Sequence, residues 1–286
     1  MRWPIGPSSG AVFTISLVND FNLTPPATPN TEVPPKFLKT IKSFVRRAGR
    51  ITTGQSKAFV DLGDQFLVTY QPIAINFEAT WAMNTSTDSV NNSKNSLISA
   101  HPVVFEIGFG MGEATAHIAA LLPQTRFLAC EVHQPGVGSL LKRIGNSLET
   151  TQPIDNIRII SHDAVEVIDH MLPLASLDGV HIFFPDPWHK KRHNKRRLIQ
   201  QLLIAKLAAR LKVGGYIHCA TDWQPYAEQI LEVLSTEPLL KNRADPVKDA
   251  ELGGYSPKPH YRPLTKFENR GIKLGHDVWD VVFERI

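Results

Sequence analysis

Cysteine is scarce in this chain, and its few copies do not form a metal-binding pattern. The two cysteines, Cys130 and Cys219, each lie in an apolar run typical of a buried strand. This placement predicts buried free thiols in a reducing compartment rather than a disulfide framework. No Cys or His spacing matches a known metal motif, so we expect no metal site.

Long apolar runs are also missing. No run approaches the roughly 18 residues that a membrane-spanning helix needs. The short apolar stretch 11–18 near the start is interrupted by Thr14 and Ser16, and no convincing cleavage site follows it. The sequence therefore predicts neither a membrane protein nor a secreted one, and we expect a cytoplasmic location.

The overall charge is too small to identify a partner. The chain has 286 residues, of which 42% are hydrophobic and 20% charged, and its formal net charge is only +4. This composition is ordinary for a soluble globular protein with a substantial core. A small positive excess is a weak argument for nucleic acid, so the positions of the cations matter more than their number.

The composition changes along the chain and suggests a tail followed by one domain. Residues 1–36 are rich in Pro, Ser, Thr and Asn without a sustained period, which predicts a disordered tail. We assign 37–286 to the domain. Its first part, 37–60, is an arm with closely spaced cations that either contact phosphates or are simply solvated, and the polar segment 83–98 is predicted to be a surface loop.

From residue 103 onward, apolar strands alternate with helical patterns. The predicted strands are Val103 to Ile107, Phe127 to Val132, Ile157 to Ile160, Val180 to Phe184, Tyr216 to Ala220 and Val278 to Glu284. The predicted helices are Glu113 to Leu122, a stretch ending at Leu148, Lys195 to Leu211, and Pro225 to Leu234. This alternation predicts an α/β fold with a doubly wound, mostly parallel sheet.

A glycine-rich turn follows the first of these strands and suggests a nucleotide-like cofactor. Gly108, Gly110 and Gly112 allow a tight turn and a close approach to a ligand. Glu106 directly before the glycines would repel a pyrophosphate but would suit a cationic ligand with an amino group. Such loops also bind NAD, FAD or phosphates, or only connect a strand to a helix.

Acidic residues recur after the next two strands. Glu131 stands where a carboxylate can bind both hydroxyls of a ribose, and Asp163 could accept a hydrogen bond from an adenine amino group. Each acid has an ordinary alternative, and Asp163 could simply cap the helix that follows. Because the carboxyl ends of parallel strands share one edge of the sheet, three acids there favour S-adenosylmethionine.

A rigid turn and a run of cations follow the fourth strand. Two prolines enclose one carboxylate in Pro185-Asp186-Pro187-Trp188, which is suited to holding that carboxylate in place. Six of the nine residues from 189 to 197 are Lys or Arg and none is acidic. A solvated helix face normally mixes both signs of charge, so this run favours contact with a phosphate backbone.

Several segments of the chain resemble one known family. They are Phe105 to Gly112, Glu131 to His133, Pro185 to His193, Ala220 to Trp223 and Thr265 to Gly271, with a further similarity at Ser43 to Arg47. The chain resembles the bacterial tRNA (guanine-N7-)-methyltransferases from about Phe37 to its C-terminus. The Pro-Asp-Pro-Trp-x-Lys-Lys-x-His string carries most of the specificity, because the glycine loop occurs in many families.

The resemblance implies a fold, a reaction and a set of site residues. It implies a seven-stranded Rossmann-like methyltransferase sheet and transfer of a methyl group from S-adenosylmethionine to N7 of a guanosine in the variable loop of tRNA. Oligomeric state stays open between monomer and homodimer. The implied roles are Asp186 as the active-site carboxylate; Glu106, Gly108, Gly110, Gly112, Glu131, Asp163 and Ala164 for the cofactor; Lys190, Asp222, Thr265, Lys266, Phe267 and Glu268 for the substrate; and Arg192, His193, Asn194, Lys195, Arg196 and Arg197 for RNA.

The chemistry of this reaction suggests a particular role for Asp186. Guanine N7 has a lone pair and no proton to lose, so we expect Asp186 to position the base and stabilise its developing positive charge rather than to remove a proton. Trp188, Trp223 and Phe267 are candidate stacking surfaces, although packing in a core or turn is the more ordinary use of each.

Three other functions remain open on the sequence alone. An NAD-dependent oxidoreductase could use the same fold, although Glu106 would oppose the pyrophosphate. A non-catalytic RNA-binding protein could retain an unused cofactor site. A DNA or rRNA methyltransferase is the third possibility, although enzymes that act on exocyclic nitrogens typically carry Asn where this chain has Asp186.

Overall fold

The computed structural model describes residues 44, 49–82, 101–273, 275 and 277–286. The predicted disordered tail 1–36 and the predicted polar loop 83–98 lie outside the described residues. The same holds for the part of the predicted arm 37–60 that precedes Gly49, apart from Phe44.

The centre of the molecule is a seven-stranded sheet with the strand order β3-β2-β1-β4-β5-β7-β6. Strands β1 to β5 are parallel, and β7 is inserted antiparallel between β5 and β6. The mostly parallel, doubly wound α/β sheet predicted from the alternation is confirmed. The strands are β1 Val103–Ile107, β2 Arg126–Cys130, β3 Ile157–Ile160, β4 Leu177–Phe183, β5 Leu211–Thr221, β6 Leu240–Asn242 and β7 Trp279–Arg285.

The sheet is covered on both faces, and the side chains of β1 show how. Val103, Phe105 and Ile107 join a core cluster that contains residues of the helices on one face, whereas Val104 joins a second cluster on the other face. Successive side chains of a strand point to opposite faces, so a strand buried on both sides reads as a continuous apolar run. This explains why the five-residue run of β1 was recognisable in the sequence.

Eight α-helices and two short 3₁₀ helices are found among the described residues. One group, α1, α3 and α4, contributes to the second cluster, and α5, α6 and α7 contribute to the first. The helices are α1 Thr53–Phe66, α2 Phe77–Ala82, α3 Glu113–Leu121, α4 Gln134–Leu148, α5 Ala164–His170, α6 Gln201–Arg210, α7 Gln224–Ser235 and α8 Lys266–Lys273; the 3₁₀ helices are Lys191–Arg196 and Ala250–Leu252.

Helix α1, which the sequence analysis did not predict, packs against the start of α4. It begins with a capping box in which Thr52 and Gln55 exchange backbone and side-chain hydrogen bonds. The Gln55 amide also donates to the carbonyl of Pro135, at 3.0 Å, in the first turn of α4. Part of the segment predicted as an arm is therefore a packed helix that contacts the first turn of α4.

The helix predicted over Lys195 to Leu211 is wrong in its first part. The cationic residues form the 3₁₀ helix Lys191–Arg196, residue 197 is extended, and α6 begins only at Gln201. The backbone N–H of Ile199 donates to the hydroxyl of Tyr226 at 3.1 Å instead of entering a helical ladder. Leu202, expected on the apolar side, is 70% exposed.

Within the described residues, no helix combines the length and the apolar character needed to cross a bilayer.

Candidate active site

The glycine turn after β1 has the backbone that the sequence predicted. Gly108, Gly110 and Gly112 all have positive φ, at 73°, 59° and 70°. A Cβ at Gly110 would meet no atom within 4 Å, whereas one at Gly112 would lie 2.7 Å from the Cβ of Leu140 in α4. Gly110 is thus needed for the left-handed backbone beside open space, and Gly112 for close packing of the helix against the turn.

Glu106 occupies an unusual environment for a carboxylate. It is 3% exposed, and one oxygen accepts a hydrogen bond from the Thr115 hydroxyl at 3.0 Å. Its Oε2 is buried and has no hydrogen-bond partner among the described residues. Burial raises the pKa of Glu106 to about 7, the Thr115 hydrogen bond opposes this rise, and the charge of Glu131 adds to it. A buried oxygen without a donor suits a cationic group of a ligand.

Glu131, directly after β2, is held by the backbone. Its Oε1 accepts from the N–H groups of Val132 and His133 at 2.7 and 2.9 Å, and its Oε2 accepts from the N–H of Gly110 at 2.9 Å. The carboxylate therefore ties the glycine turn to the end of β2. It also lines the cavity at this edge of the sheet.

Asp163, after β3, both caps a helix and lines the same cavity. Its carboxylate accepts from the N–H of Val165 at 3.1 Å and so provides the N-cap of α5. The alternative role considered for Asp163 is therefore confirmed. The following residue, Ala164, lines the cavity as well, so the capping role does not remove Asp163 from the candidate site.

Some of these residues line one cavity of about 220 Å³ at the carboxyl ends of the parallel strands, whereas Glu106, Gly110 and Gly112 are not among its lining residues. Glu131 and Asp163 lie on its wall together with Asp186, which comes from the turn after β4. The structure thus brings four of the cofactor candidates, Gly108, Glu131, Asp163 and Ala164, to the same cavity as the candidate active-site carboxylate. The cavity also has lining residues that the sequence analysis did not select, namely Phe44, Ile107, Cys130, Val132, His162, Phe184, Pro185 and Leu198.

The turn that carries Asp186 is enclosed by two strained residues. Phe184 and Trp188 have φ values of 49° and 46°, a left-handed backbone that is uncommon for residues other than glycine. Such conformations cost on the order of 1–3 kcal/mol each and persist only where surrounding contacts impose them. Phe184 is held because its N–H donates to the carbonyl of Ala220 at 2.8 Å. Asp186 itself is exposed.

The cationic run beside this turn is mostly exposed. Arg196 stacks its guanidinium 4.0 Å from the centre of the Trp188 ring, and the ring of His193 meets Trp188 edge-on at 5.9 Å. Desolvation and repulsion by Arg192, Arg196 and neighbouring lysines lower the pKa of His193. Lys190, Lys191, Arg192 and Lys195 are exposed.

Arg197 does not fit its predicted role as an RNA contact. It is only 4% exposed, and its guanidinium donates to the carbonyls of Pro187 and Pro225 and to the side chain of Gln229. A side chain in this position is part of the packing between the turn and α7. This packing disfavours a direct contact between Arg197 and RNA.

The predicted substrate residues are spread over several environments. Asp222 and Lys190 are exposed, and Asp222 follows β5 at the same sheet edge as the cavity, although neither residue lines it. Trp223 packs edge-on against His189, with 4.4 Å between ring centres. The side chains of Lys266 and Phe267 lie outside the described part of the structure.

Thr265 and Glu268 form the start of α8. The Thr265 hydroxyl accepts from the N–H of Glu268 at 3.1 Å, and the Glu268 carboxylate accepts from the N–H of Thr265 at 3.4 Å. This is a capping box, and the Thr-x-x-Glu spacing could have shown it in the sequence. Glu268 is 3% exposed, and its carboxylate accepts hydrogen bonds from Arg262 and Lys258. This arrangement does not present the carboxylate to a substrate.

A buried ionic network behind the turn was missed by the sequence analysis. Arg262 donates to both oxygens of Asp280, at 2.6 and 2.7 Å, and to both oxygens of Glu268, at 2.8 and 3.0 Å. Asp280 also accepts from His218, whose other ring nitrogen faces the hydroxyl of Tyr261. Polar residues inside the apolar strands β5 and β7 were the available signal for this network.

The two thiols differ in position, since Cys130 lines the cavity and Cys219 does not. Cys130 and Cys219 are free and buried, as predicted, and burial raises the pKa of both. Among the residues that the structure describes, no group of three or more His, Cys, Asp or Glu side chains is arranged to hold a metal ion.

Comparisons with known proteins decide the family. A family described as a putative methyltransferase matches residues 100–281. The tRNA (guanine-N(7)-)-methyltransferase of Albidiferax ferrireducens is 73% identical over 250 residues, which cover 87% of this chain and 98% of that protein. The chain belongs to the tRNA (guanine-N7-)-methyltransferase family.

More distant members agree with this assignment. The enzyme of the same name from Polaromonas naphthalenivorans is 65% identical over 86% of this chain and 90% of its own length. The one from Ralstonia nicotianae is 54% identical over 86% of this chain and 87% of its own. The family predicted from the motifs is therefore confirmed, and a dehydrogenase on the same fold is no longer an alternative.

Proposed function

We propose that this chain transfers a methyl group from S-adenosylmethionine to N7 of a guanine in tRNA, with a guanosine of the variable loop as the target. The observation that carries the proposal is the 73% identity to a tRNA (guanine-N(7)-)-methyltransferase over nearly the full length of that relative. The cavity supports it, because the cofactor candidates Glu131 and Asp163 share its wall with Asp186. A cytoplasmic location would follow from a tRNA substrate and stays a prediction.

The residues present fit S-adenosylmethionine. The unpartnered Oε2 of Glu106 is a buried acceptor that the cofactor's amino group could satisfy. Glu131 is held by three backbone N–H groups with its carboxylate at the cavity, which suits the ribose hydroxyls. Asp163 and Ala164 line the same cavity and are the proposed contacts of the adenine. When bound there, the cofactor would supply an electrophilic methyl group on a sulfonium.

The proposed transfer makes few chemical demands on the chain. The N7 lone pair forms the new N–C bond, the methyl–sulfur bond breaks, and the positive charge passes from sulfur to the purine. Because N7 carries no proton, no side chain has to act as a base. We propose that Asp186 accepts hydrogen bonds from the guanine and stabilises the cationic purine, and that the strained turn holds it in place for this purpose.

The exposed cations beside the turn are the proposed tRNA contacts. Lys191, Arg192 and Lys195 present their charges to solvent, and Arg196 is held over Trp188 next to the cavity. Electrostatic attraction of this kind positions a phosphate backbone without reading sequence. Lys190, Asp222 and the Thr265–Phe267 segment remain proposals for contacts with the target nucleotide, whereas the packing of Glu268 favours a supporting role.

The proposal is tested by methylating bulk unmodified tRNA with labelled S-adenosylmethionine and mapping the product base. The wild type is expected to place label on guanine N7, and Asp186→Ala to lose most of this activity while still binding S-adenosylhomocysteine. Asp64→Ala, which removes an exposed carboxylate of α1, is the matched control and should behave like the wild type. Label on another base, or tRNA binding without methylation, would refute the proposed function.

A further inference from the structure

The cationic run 189–197 splits into two environments, and Arg197 stands apart from the rest. Lys190, Lys191, Arg192 and Lys195 are exposed, whereas Arg197 is 4% exposed. Burying a guanidinium is costly unless its donors are satisfied. The partners of Arg197 therefore indicate what it does.

Those partners connect the Asp186 turn to helix α7. The Nε of Arg197 donates to the carbonyl of Pro187 at 2.9 Å, and its Nη1 donates to the carbonyl of Pro225 at 3.1 Å and to Gln229 Oε1 at 2.7 Å. The guanidinium also lies 4.8 Å from the centre of the Tyr226 ring. One side chain thus joins the residue after Asp186 to the first two turns of α7.

The position of the Pro187 carbonyl makes this contact important. It belongs to the residue between Asp186 and Trp188, and both Trp188 and Phe184 have strained, left-handed backbones. A strained turn relaxes unless contacts at both ends maintain it. The Phe184 end is held by the backbone hydrogen bond to Ala220, and the Pro187 end is held by Arg197.

We propose that Arg197 is a positioning residue that acts through the Pro187 carbonyl to hold the Asp186 carboxylate in the cavity, and that it is not a ligand of the tRNA backbone. The inference rests on the proposed function for the identity of the reaction. It divides the cationic run by role: exposed members attract tRNA, and the buried member shapes the turn. Arginine suits this task because its planar fork can serve several acceptors at once.

The central experiment compares Arg197→Lys and Arg197→Gln with the wild type. We measure kcat and KM for tRNA, and separately the salt dependence of tRNA binding without turnover. A small misplacement of a catalytic group can lower a rate by about 100-fold. We expect kcat to fall by about 10- to 100-fold in both variants, with the affinity for tRNA and its salt dependence retained.

The lysine variant separates the two roles because it keeps the charge. A phosphate contact tolerates lysine, whereas lysine cannot reproduce the donor fork that reaches Pro187, Pro225 and Gln229 together. Arg192→Gln provides the contrast, since Arg192 is exposed. It should raise KM for tRNA and make the salt dependence of binding shallower by about one in log–log slope.

A second control addresses loss of stability alone. Arg158 in β3 is similarly buried, at 3% exposed, and donates to the backbone carbonyls of Thr80, Asp155 and Ile157, away from the cavity. Arg158→Gln should lower the melting temperature as Arg197→Gln does but should spare kcat below the melting transition. If the Arg197 variants do not fold, Gln229→Met removes one acceptor of Arg197 and should still lower kcat, to a smaller extent.

Two results would overturn the inference. One is a loss of tRNA affinity and of salt dependence in Arg197→Lys or Arg197→Gln that matches Arg192→Gln. The other is an unchanged kcat in every folded Arg197 and Gln229 variant. The proposed function fails by a different result, namely methylation by the wild-type protein of a base atom other than guanine N7. In that case the comparison of kcat for the observed product still decides the role of Arg197.

Discussion

Replacing Glu106 with glutamine should make the ligand-free protein more stable at alkaline pH, although it removes a proposed cofactor contact. Burial raises the pKa of Glu106 from 4.5 to about 7. The folded state therefore binds more protons than the unfolded state between these values, and stability contributed by the neutral carboxyl is lost as pH rises through this window. At 1.36 kcal/mol per pH unit, ionised Glu106 costs about 3 kcal/mol of folding free energy above pH 7.

The assay is thermal or urea unfolding of wild type and Glu106→Gln from pH 5 to pH 8.5 without cofactor. At pH 8.5 the free energy of unfolding of the variant should exceed that of the wild type by about 3 kcal/mol, and its melting temperature should be several degrees Celsius higher. Near pH 5, where the wild-type carboxyl is neutral as well, the two should nearly coincide. Asp64→Asn, at an exposed position of α1, is the control for a lost surface charge.

The affinity of the wild type for the cofactor should increase with pH, whereas its stability without cofactor decreases. An ionised Glu106 is needed to pair with an amino group, so the wild-type affinity for S-adenosylhomocysteine should rise by up to tenfold per pH unit below pH 7 and then level off. Glu106→Gln should bind weakly throughout this range. A stability difference between the two proteins that stays constant from pH 5 to pH 8.5 would refute the burial argument.

Two further substitutions test the packing around the site. In Gly136→Ala the new Cβ would lie 2.1 Å from the carbonyl oxygen of Gly110, so we expect a loss of about 1–3 kcal/mol of stability and weaker S-adenosylhomocysteine binding by calorimetry. Gly145→Ala in the same helix meets only the end of a leucine side chain and should bind normally. Arg262→Met should cost about 3–5 kcal/mol in urea unfolding because it leaves two buried carboxylates without their guanidinium. Arg243→Met breaks an ion pair that is half exposed and should cost no more than about 1 kcal/mol; equal losses in these two arginine variants would contradict the argument.

The sheet and its cofactor edge could be predicted from local patterns. The bounds of β1 and β3 agree with the mostly apolar runs that predicted them, because a strand buried on both faces is apolar at most of its positions, here all but Glu106 and Arg158. Glu131 and Asp163 then had to lie at one edge, since parallel strands present their carboxyl ends together. Helix α1 and the three-residue β6 were missed, since one is only weakly apolar along its length and the other is too short to show a period.

Burial of the charged residues could not be predicted in the same way. Glu268 was expected at a substrate, but Arg262, six residues earlier, and Asp280 on β7 enclose it in a buried network. Asp163 was expected to be either a cap or a ligand residue, and the structure makes it a cap on the cavity wall. These outcomes depend on which elements meet, and local residue patterns carry little information about that.

The sequence by itself determined the alternation of the five parallel strands with helices, the glycine turn, and the rigid Pro-Asp-Pro segment, because each depends on residues close together in the chain. The tertiary structure alone decided how neighbouring charges are used. Arg196 and Arg197 are adjacent and chemically identical, yet one stacks on Trp188 and the other is enclosed by α7. Pro225 and Gln229 exclude Arg197 from solvent and accept its hydrogen bonds, and they thereby give it a different role from Arg196. Both residues lie far along the sequence and reach Arg197 only through folding.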